Sequence, residues 1–487
     1  MRGWLFRRRI LLAWGVALLA AAAIPPASAA TARLTLRPNT GPPTSSTTVS
    51  GSGFASGEAV TVTFDGTTLA SPTTSGGKFS VSVQVPATSP PGAHTIMAQG
   101  ASSGTTAQAT FTVRTDWIQF HFNGVRSGFN PFENVLDPGK AAGITERRRT
   151  PVGTSVLASP VYCAGRIFVG STDGSLRGVN ADGTVAWTYS VGSAPTTAAA
   201  VPSGACTVMV GGADGSLAAV DGGTGAQVWR TTVGGAVLAP PLYAPGGKAS
   251  SFKVVVGTQA AQVRAYNETG GQLFNTPVGG PISQGPVLVG IPHQGAQFIV
   301  ATDTGVVYAL DATTGKVLRS VVLDGAVTAG PAAGDLGGGA AVFVGTSAGT
   351  VYSLSQTDLG IRWTFGAGSQ IVGTPSIGDP GPVGSRTGIA RLFAESADGT
   401  VRAFDEVSGN PALAWATALG AAPAGATALA DGVLYATGTD GVLRAYDATS
   451  GLVLFTSTSM SASGSAIVAD GQVITGTTTG DVVVLGG

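Results

Sequence analysis

The chain is poor in most of what catalytic sites are built from. Its 487 residues include only 2 Cys, 3 His and 4 Met, and charged residues make up 11%. His94, His121 and His293 are scattered, and no pair has metal-ligand spacing, so each reads as a surface or packing residue. No CxxCH offers a haem attachment, and Cys163 and Cys206 are too far apart in sequence to be a vicinal pair. No long 3.6-residue apolar period follows the first 30 residues, which excludes a helical architecture. No second long apolar run follows either, so no stable membrane anchor is expected.

The N-terminus reads as a signal peptide over residues 1–29. Arg2, Arg7, Arg8 and Arg9 precede an uncharged apolar run, Ile10–Ala23, and Ala27-Ser28-Ala29 supplies the small-x-small pattern for cleavage after Ala29. An uncleaved anchor is the rival reading, against which the run is short. Cleavage would take Lys+Arg from 26 to 22 against 26 acids. A sparsely charged, slightly acidic mature chain lacks the basic footprint of a nucleic-acid binder. The expectation is a secreted or cell-envelope protein, monomeric, with a protein or glycan partner that the sequence does not name.

What the chain has in abundance is glycine, 74 residues, set among Val, Thr, Ser and Ala. Glycine supplies the positive φ of tight hairpin turns, so the mixture predicts many short strands. Eight copies of one phrase give those strands a period. They are DGSLRGV at 173–179, DGSLAAV at 214–220, AAQVRAY at 260–266, TGVVYAL at 304–310, AGTVYSL at 348–354, DGTVRAF at 398–404, DGVLRAY at 440–446 and TGDVVVL at 479–485. Their aligned apolar residues, Leu176 through Val482, recur every 39 to 50 residues, the length of a four-stranded propeller blade.

Residues 31–115 stand apart. Val60, Val62 and Phe64 share a face, as do Phe79, Val81, Val83 and Val85, and Ala109, Phe111 and Val113, which predicts a small β-sandwich. Its Gly-x-Gly-Phe at 51–54 resembles the Ig-like modules of exported bacterial proteins, which act as spacers or adhesive units. Residues 116–143 have no clear period and read as an irregular leader that packs over something. The propeller then occupies 144–487.

ITERRRTPVG at 144–153 resembles the segment that closes each later repeat, whereas the last repeat, 463–485, lacks one. An open ring would expose strand edges, so pairing these fragments predicts one composite blade. The expected fold is all-β, an eight-bladed β-propeller closed by an N-terminal strand and preceded by an Ig-like β-sandwich. Arg147, Arg148 and Arg149 lie on the closing strand and read as a solvated edge. Cys163 and Cys206 fall near corresponding turns of adjacent repeats. They are candidates for a disulfide, provided their Cα atoms come within about 7 Å.

Each repeat carries a turn after its third strand: AVDGGTGAQVW at 219–229, ALDATTGKVLR at 309–319, AYDATSGLVLF at 445–455, and AFDEVSG at 403–409 ahead of Trp415. The Asp side chain can accept backbone N–H groups just ahead, and the Gly can take the left-handed conformation. The aromatic that follows has a large apolar area to bury between blades. At these residues the chain resembles the propeller repeats named for pyrroloquinoline quinone (PQQ), with Asp221, Thr224, Gly225 and Trp229 the fullest match. DWIQFHFNGVRSGFNP, from Asp116, also looks like the leader of exported members.

The resemblance implies structural, blade-docking roles for Asp221, Gly225, Trp229, Asp311, Gly315, Asp405, Gly409, Trp415, Asp447 and Gly451, and for Trp187 and Trp363 at equivalent positions. It does not by itself imply the cofactor, because members that bind no quinone share the motif. A PQQ- and Ca²⁺-dependent dehydrogenase needs carboxylate and amide oxygens around Ca²⁺, a base and stacking surfaces. The acids here mostly occupy repeat turns. The reading is therefore an exported, non-catalytic binding scaffold with no cofactor, no metal site and no catalytic residue. The alternatives are a PQQ/Ca²⁺ quinoprotein dehydrogenase, and polysaccharide or cell-wall adhesion through the Ig-like module.

Overall fold

The computed structural model describes residues 31–195, 199–201, 206–246 and 251–487. The expected signal peptide and its cleavage point lie outside the described residues.

Alternating apolar residues build the N-terminal unit as a sandwich. One sheet pairs Arg33–Arg37, Ser46–Ser52 and Lys78–Gln84; the other joins Thr40–Gly41, Thr106–Val113, Gly92–Gly100, Val60–Phe64 and Thr67–Ala70. Val49, Val60, Val62, Phe64, Phe79, Ile96 and Phe111 fill the space between them. The Gly-x-Gly-Phe phrase has a packing reason. The ring of Phe79 lies against Gly51 where a Cβ would stand, Gly53 has φ +88°, and Phe54 meets Phe79 edge-on at 5.5 Å.

The repeats form antiparallel sheets in chain order. In the first, Val161–Cys163 pairs with Arg166–Ser171, then Ser175–Val179, then Val185–Ser190. That sheet's opening strand begins only after Pro160, whose nitrogen has no hydrogen to give a ladder. Six further sheets repeat the pattern, one ending on Gln227–Thr232 and the last opening at Ala428–Ala430. The opening strands of successive sheets contact one another, so they line the inside; the fourth strands form the outer edges.

An eighth sheet is composite. Thr145–Pro151 runs antiparallel to Asp481–Gly486, with Thr150 opposite Val482, and Gln472–Thr477 and Ala462–Ala469 complete it. It lies between the first and seventh sheets. One apolar cluster unites Tyr162 and Val169 of the first, Val473 and Val484 of the closing sheet, and Tyr435 and Ala445 of the seventh. On the outer strand Arg149 pairs with Glu146 at 2.8 Å and Asp481 at 3.3 Å, in the half-exposed setting of an edge.

Candidate functional site

The segment without a period turns out to organise the interior. Trp117 exchanges backbone hydrogen bonds with Tyr162 of the first sheet, and Gln119 Oε1 accepts from Tyr243 N of the third. The carbonyls of Gly124, Val125, Ser127 and Gly128 accept from Leu288, Ala333, Ile377 and Leu429, on the opening strands of the fourth to seventh sheets. Phe129–Asn130 adds a parallel strand beside Ala428–Ala430, and Asn130 Nδ2 donates to Val468 O of the closing sheet. The leader thus crosses the inner strands of seven of the eight ring sheets found among the described residues. These bonds satisfy the backbone polar groups of an irregular segment buried in protein.

Arg126 is fully buried in this segment. Its Nη1 donates to Phe120 O at 2.6 Å, its Nε to Pro286 O at 3.2 Å, and its Nη2 to Pro240 O and Pro241 O at 3.2 and 3.1 Å. All four partners are neutral carbonyls, and burial lowers the guanidinium pKa to about 9. Beside it, His121 is buried with Nδ1 2.7 Å from Arg126 O and Nε2 3.1 Å from Thr427 O. Burial holds its pKa down to about 4, so the ring is neutral at physiological pH. His121, Phe122 and Arg126 all have positive φ, a strained conformation that these bonds hold in place.

Where the sandwich enters the ring, three carboxylates gather. Asp470 accepts from Thr115 N at 2.6 Å and Tyr162 Oη at 3.0 Å; Glu133 accepts from Thr115 Oγ1 at 2.9 Å and Gly471 N at 3.0 Å. Asp116 accepts from Ala164 N at 3.3 Å. Burial raises all three pKa values, that of Asp116 to about 6 with the Asp470 charge adding to it. Asn134 fixes the sandwich itself by donating to Ala87 O and Ser89 O at 3.0 and 2.9 Å.

The repeat turns lie far from this interior. Asp221 Oδ1 accepts from Thr224 N and Oγ1, both at 2.8 Å; Asp311 does the same with Thr314 at 2.7 Å, and Asp447 with Ser450 at 2.7 and 2.8 Å. Gly225, Gly315, Gly409 and Gly451 have φ between +74° and +77°. The aromatic of one sheet reaches the turn of the next. Trp187 Nε1 donates to Gly222 O at 3.0 Å and Trp415 Nε1 to Ala448 O at 3.1 Å, while their rings cover Gly225 and Gly451. Trp229 donates to Glu268 O at 3.0 Å and covers Gly270.

The sixth sheet departs from this pattern. Its hairpin extends the ladder through Asp405–Ala412 and Val407–Asn410, so Asp405 makes no capped turn and instead pairs with Arg391 at 2.8 Å. Arg391 in turn donates to Thr449 O of the next sheet at 2.7 Å. Trp363 is buried against Phe343, but among the described residues its Nε1 has no partner, because the extended hairpin removes the turn carbonyl that the other tryptophans use.

One set of docking residues was missed in the sequence, although the repeated Asp-Gly-x-x-Arg carried the signal. Asp173 pairs with Arg177 at 2.8 Å and Asp440 with Arg444 at 2.7 Å. Asp398 and Arg402 carry the same phrase and pair at 3.5 Å, and two of these arginines bond the end of the preceding sheet. Arg177 donates to Val152 O of the closing sheet, and Arg402 to Ala367 O at 3.3 Å.

Cys163 and Cys206 are joined by a disulfide with Cα atoms 6.5 Å apart, linking the first two sheets of the ring.

A Ca²⁺–quinone pair would need oxygen ligands that are free at the interior. The ion takes carboxylate and amide oxygens, yet the carbonyls gathered there already hold the cation Arg126. Among the described residues no group of three His, Cys, Asp or Glu is placed to hold a metal ion. Glu395 is buried, with one carboxylate oxygen unpartnered among the described residues. It stands alone, where the first, third and fifth sheets have Gly170, Gly257 and Gly345, and burial raises its pKa well above the usual range.

Two family models match the chain. One, described as outer membrane protein assembly factor BamB, matches 145–239, 213–318, 259–379, 303–412 and 390–486; a macroglobulin-like domain matches 30–113. No curated protein matches the chain in sequence. BamB from Moraxella catarrhalis is similar in structure at 18% identity and TM-score 0.55, covering 71% of this chain and 98% of its own. A quinohemoprotein alcohol dehydrogenase from Comamonas testosteroni is similar at 14% identity and TM-score 0.59, covering 76% and 80%. The computationally designed Ika8 protein is similar at 17% and 0.54, covering 69% and 99%. These likenesses concern the fold, which is common to an assembly factor, an oxidoreductase and a designed protein.

Proposed function

The chain belongs to the propeller-repeat family described as outer membrane protein assembly factor BamB, and from that premise we propose that it is an exported, non-catalytic scaffold. In this reading residues 144–487 form an eight-bladed propeller, 31–115 a sandwich that presents it, and 116–143 a leader that fastens the two. The ring binds a protein or ligand partner at the cell surface or outside the cell.

The observation that carries the reading is the leader with Arg126 at its centre. It commits the inner strands to holding polypeptide, and it puts a buried positive charge among the carbonyls that a divalent cation would use. Rigid sheets joined by variable loops leave the outer faces available for a partner.

Two measurements test this. Affinity capture with the intact mature protein is expected to retain a specific partner. Titration with PQQ and Ca²⁺ is expected to give no saturable absorbance change. Such a change, together with dye reduction by alcohols or sugars, would overturn the scaffold reading in favour of a dehydrogenase.

A further inference from the structure

A cavity of about 490 Å³ lies where the sandwich, the leader and the first two ring sheets meet. Its walls are largely apolar: Pro42 from the sandwich, Ile118, Phe122 and Phe132 from the leader, and the Cys163–Cys206 disulfide from the ring. The size is within the range of about 300–1,000 Å³ typical of small-ligand pockets. Two of these walls are fixed by features of the fold. The disulfide joins the two ring turns, and Phe122 stacks edge-on against the buried Trp117 at 5.2 Å.

Two side chains of opposite charge border the cavity, Arg114 and Asp116. They do not form an ion pair with each other. The Arg114 guanidinium makes no hydrogen bond among the described residues, and Asp116 accepts only one long bond, from Ala164 N at 3.3 Å. Arg114 acts on Asp116 and Asp470 only through space, so a largely apolar space bordered by a cation and an anion that no direct ion pair joins selects among ligands. A purely apolar molecule would desolvate both charges without compensation. An anionic amphiphile would pair with Arg114 and leave Asp116 without a partner, and a cationic one would do the reverse. A molecule with both charges and an apolar body satisfies all three parts of the wall.

We propose that this cavity binds a zwitterionic ligand with an apolar body, a free apolar amino acid or short peptide, its carboxylate on Arg114 and its ammonium on Asp116. Charge-assisted hydrogen bonds at the two ends orient the ligand, and the leader aromatics hold its side chains. Such a site reads free termini. It is independent of the scaffold reading, because it stands whether or not a partner binds the outer faces.

The test is calorimetric titration of the intact, disulfide-bonded mature protein at about pH 7.5, where Asp116 is ionised. The probes are the dipeptide Leu-Leu, its N-acetyl form and its C-terminal amide. Leu-Leu is expected to bind saturably, and each capped form to bind about tenfold more weakly or worse, the loss typical of one charged hydrogen-bonding group. In Arg114→Gln the amide is expected to bind as well as Leu-Leu, and in Asp116→Asn the acetylated form is. Absence of saturable Leu-Leu binding, or equal binding of the capped peptides by the native protein, overturns the proposal. The capped arms use the native protein alone, so they decide the matter even where a variant does not fold.

Discussion

The side chain of Arg126 donates to the carbonyl of Pro286 at 3.2 Å, although 160 residues separate them. That bond states the design of the molecule in one contact. A short N-terminal segment serves as the inner brace for sheets formed much later in the chain.

Replacing Arg126 with methionine keeps most of the volume and removes every donor. The carbonyls of Phe120, Pro240, Pro241 and Pro286 are then buried without partners, each costing about 1–3 kcal/mol in isolation. Relief from burying a cation offsets part of this, so a net loss of about 2–4 kcal/mol is expected. The denaturant midpoint at unchanged slope measures it, and a change below about 0.5 kcal/mol would show that the brace is dispensable.

Gly225 has φ +76°, and a Cβ there would stand 2.7 Å from the ring of Trp187. Gly225→Ala therefore meets both backbone strain, about 1 kcal/mol, and overpacking, about 1–3 kcal/mol. In a Trp187→Ala background only the strain should remain. A double-mutant cycle reads the difference as coupling, and strictly additive effects would contradict the wedge geometry.

The disulfide closes a loop of 43 residues. Chain entropy assigns about 4 kcal/mol to such a crosslink, as an upper estimate. The Cys163→Ser/Cys206→Ser double variant should unfold at a correspondingly lower denaturant concentration. Peptide mapping without reductant should recover the crosslinked pair, whereas two free thiols would remove the basis for this expectation.

Asp116 has its pKa raised from 3.8 to about 6 by burial, with the nearby Asp470 charge adding to the shift. The folded state therefore binds the proton more tightly than the unfolded chain does. The associated stability is fully present below about 3.8 and is lost as pH rises through about 6, up to roughly 3 kcal/mol. Asp116→Asn should thus be more stable than the parent at neutral pH and equal to it near pH 4. Unfolding curves across that range check the sign, and a variant less stable at neutral pH would reverse the argument.

Much of the architecture was legible because it repeats. The period of the SLRGV-type strands, the Asp and Gly of Asp221–Gly225 and the aromatic at Trp229 each obey local rules, and local rules recur visibly. The sixth repeat shows where this fails. Asp405 and Gly409 carry the same letters, but the intervening Glu406-Val407-Ser408 continues the ladder, and Asp405 turns to Arg391 instead. Which of the two geometries forms depends on pairing with Asn410–Ala418, not on the turn residues alone.

The leader was legible only as an absence of period. Nothing in the letters around Arg126 specifies four carbonyls from the leader and two different sheets, because those oxygens belong to backbone that any residue could supply. The same holds for Asp116 and Arg114, whose importance comes from a cavity made by three separate parts of the chain.

The sequence by itself determined the all-β class, the repeat and the separate sandwich, since hydrophobic alternation and turn chemistry act between near neighbours. Tertiary structure alone decided what the leader holds, which carboxylates come together and where a cavity remains. Those depend on burial and on long-range hydrogen bonding, which exist only once the sheets have assembled around the segment that braces them.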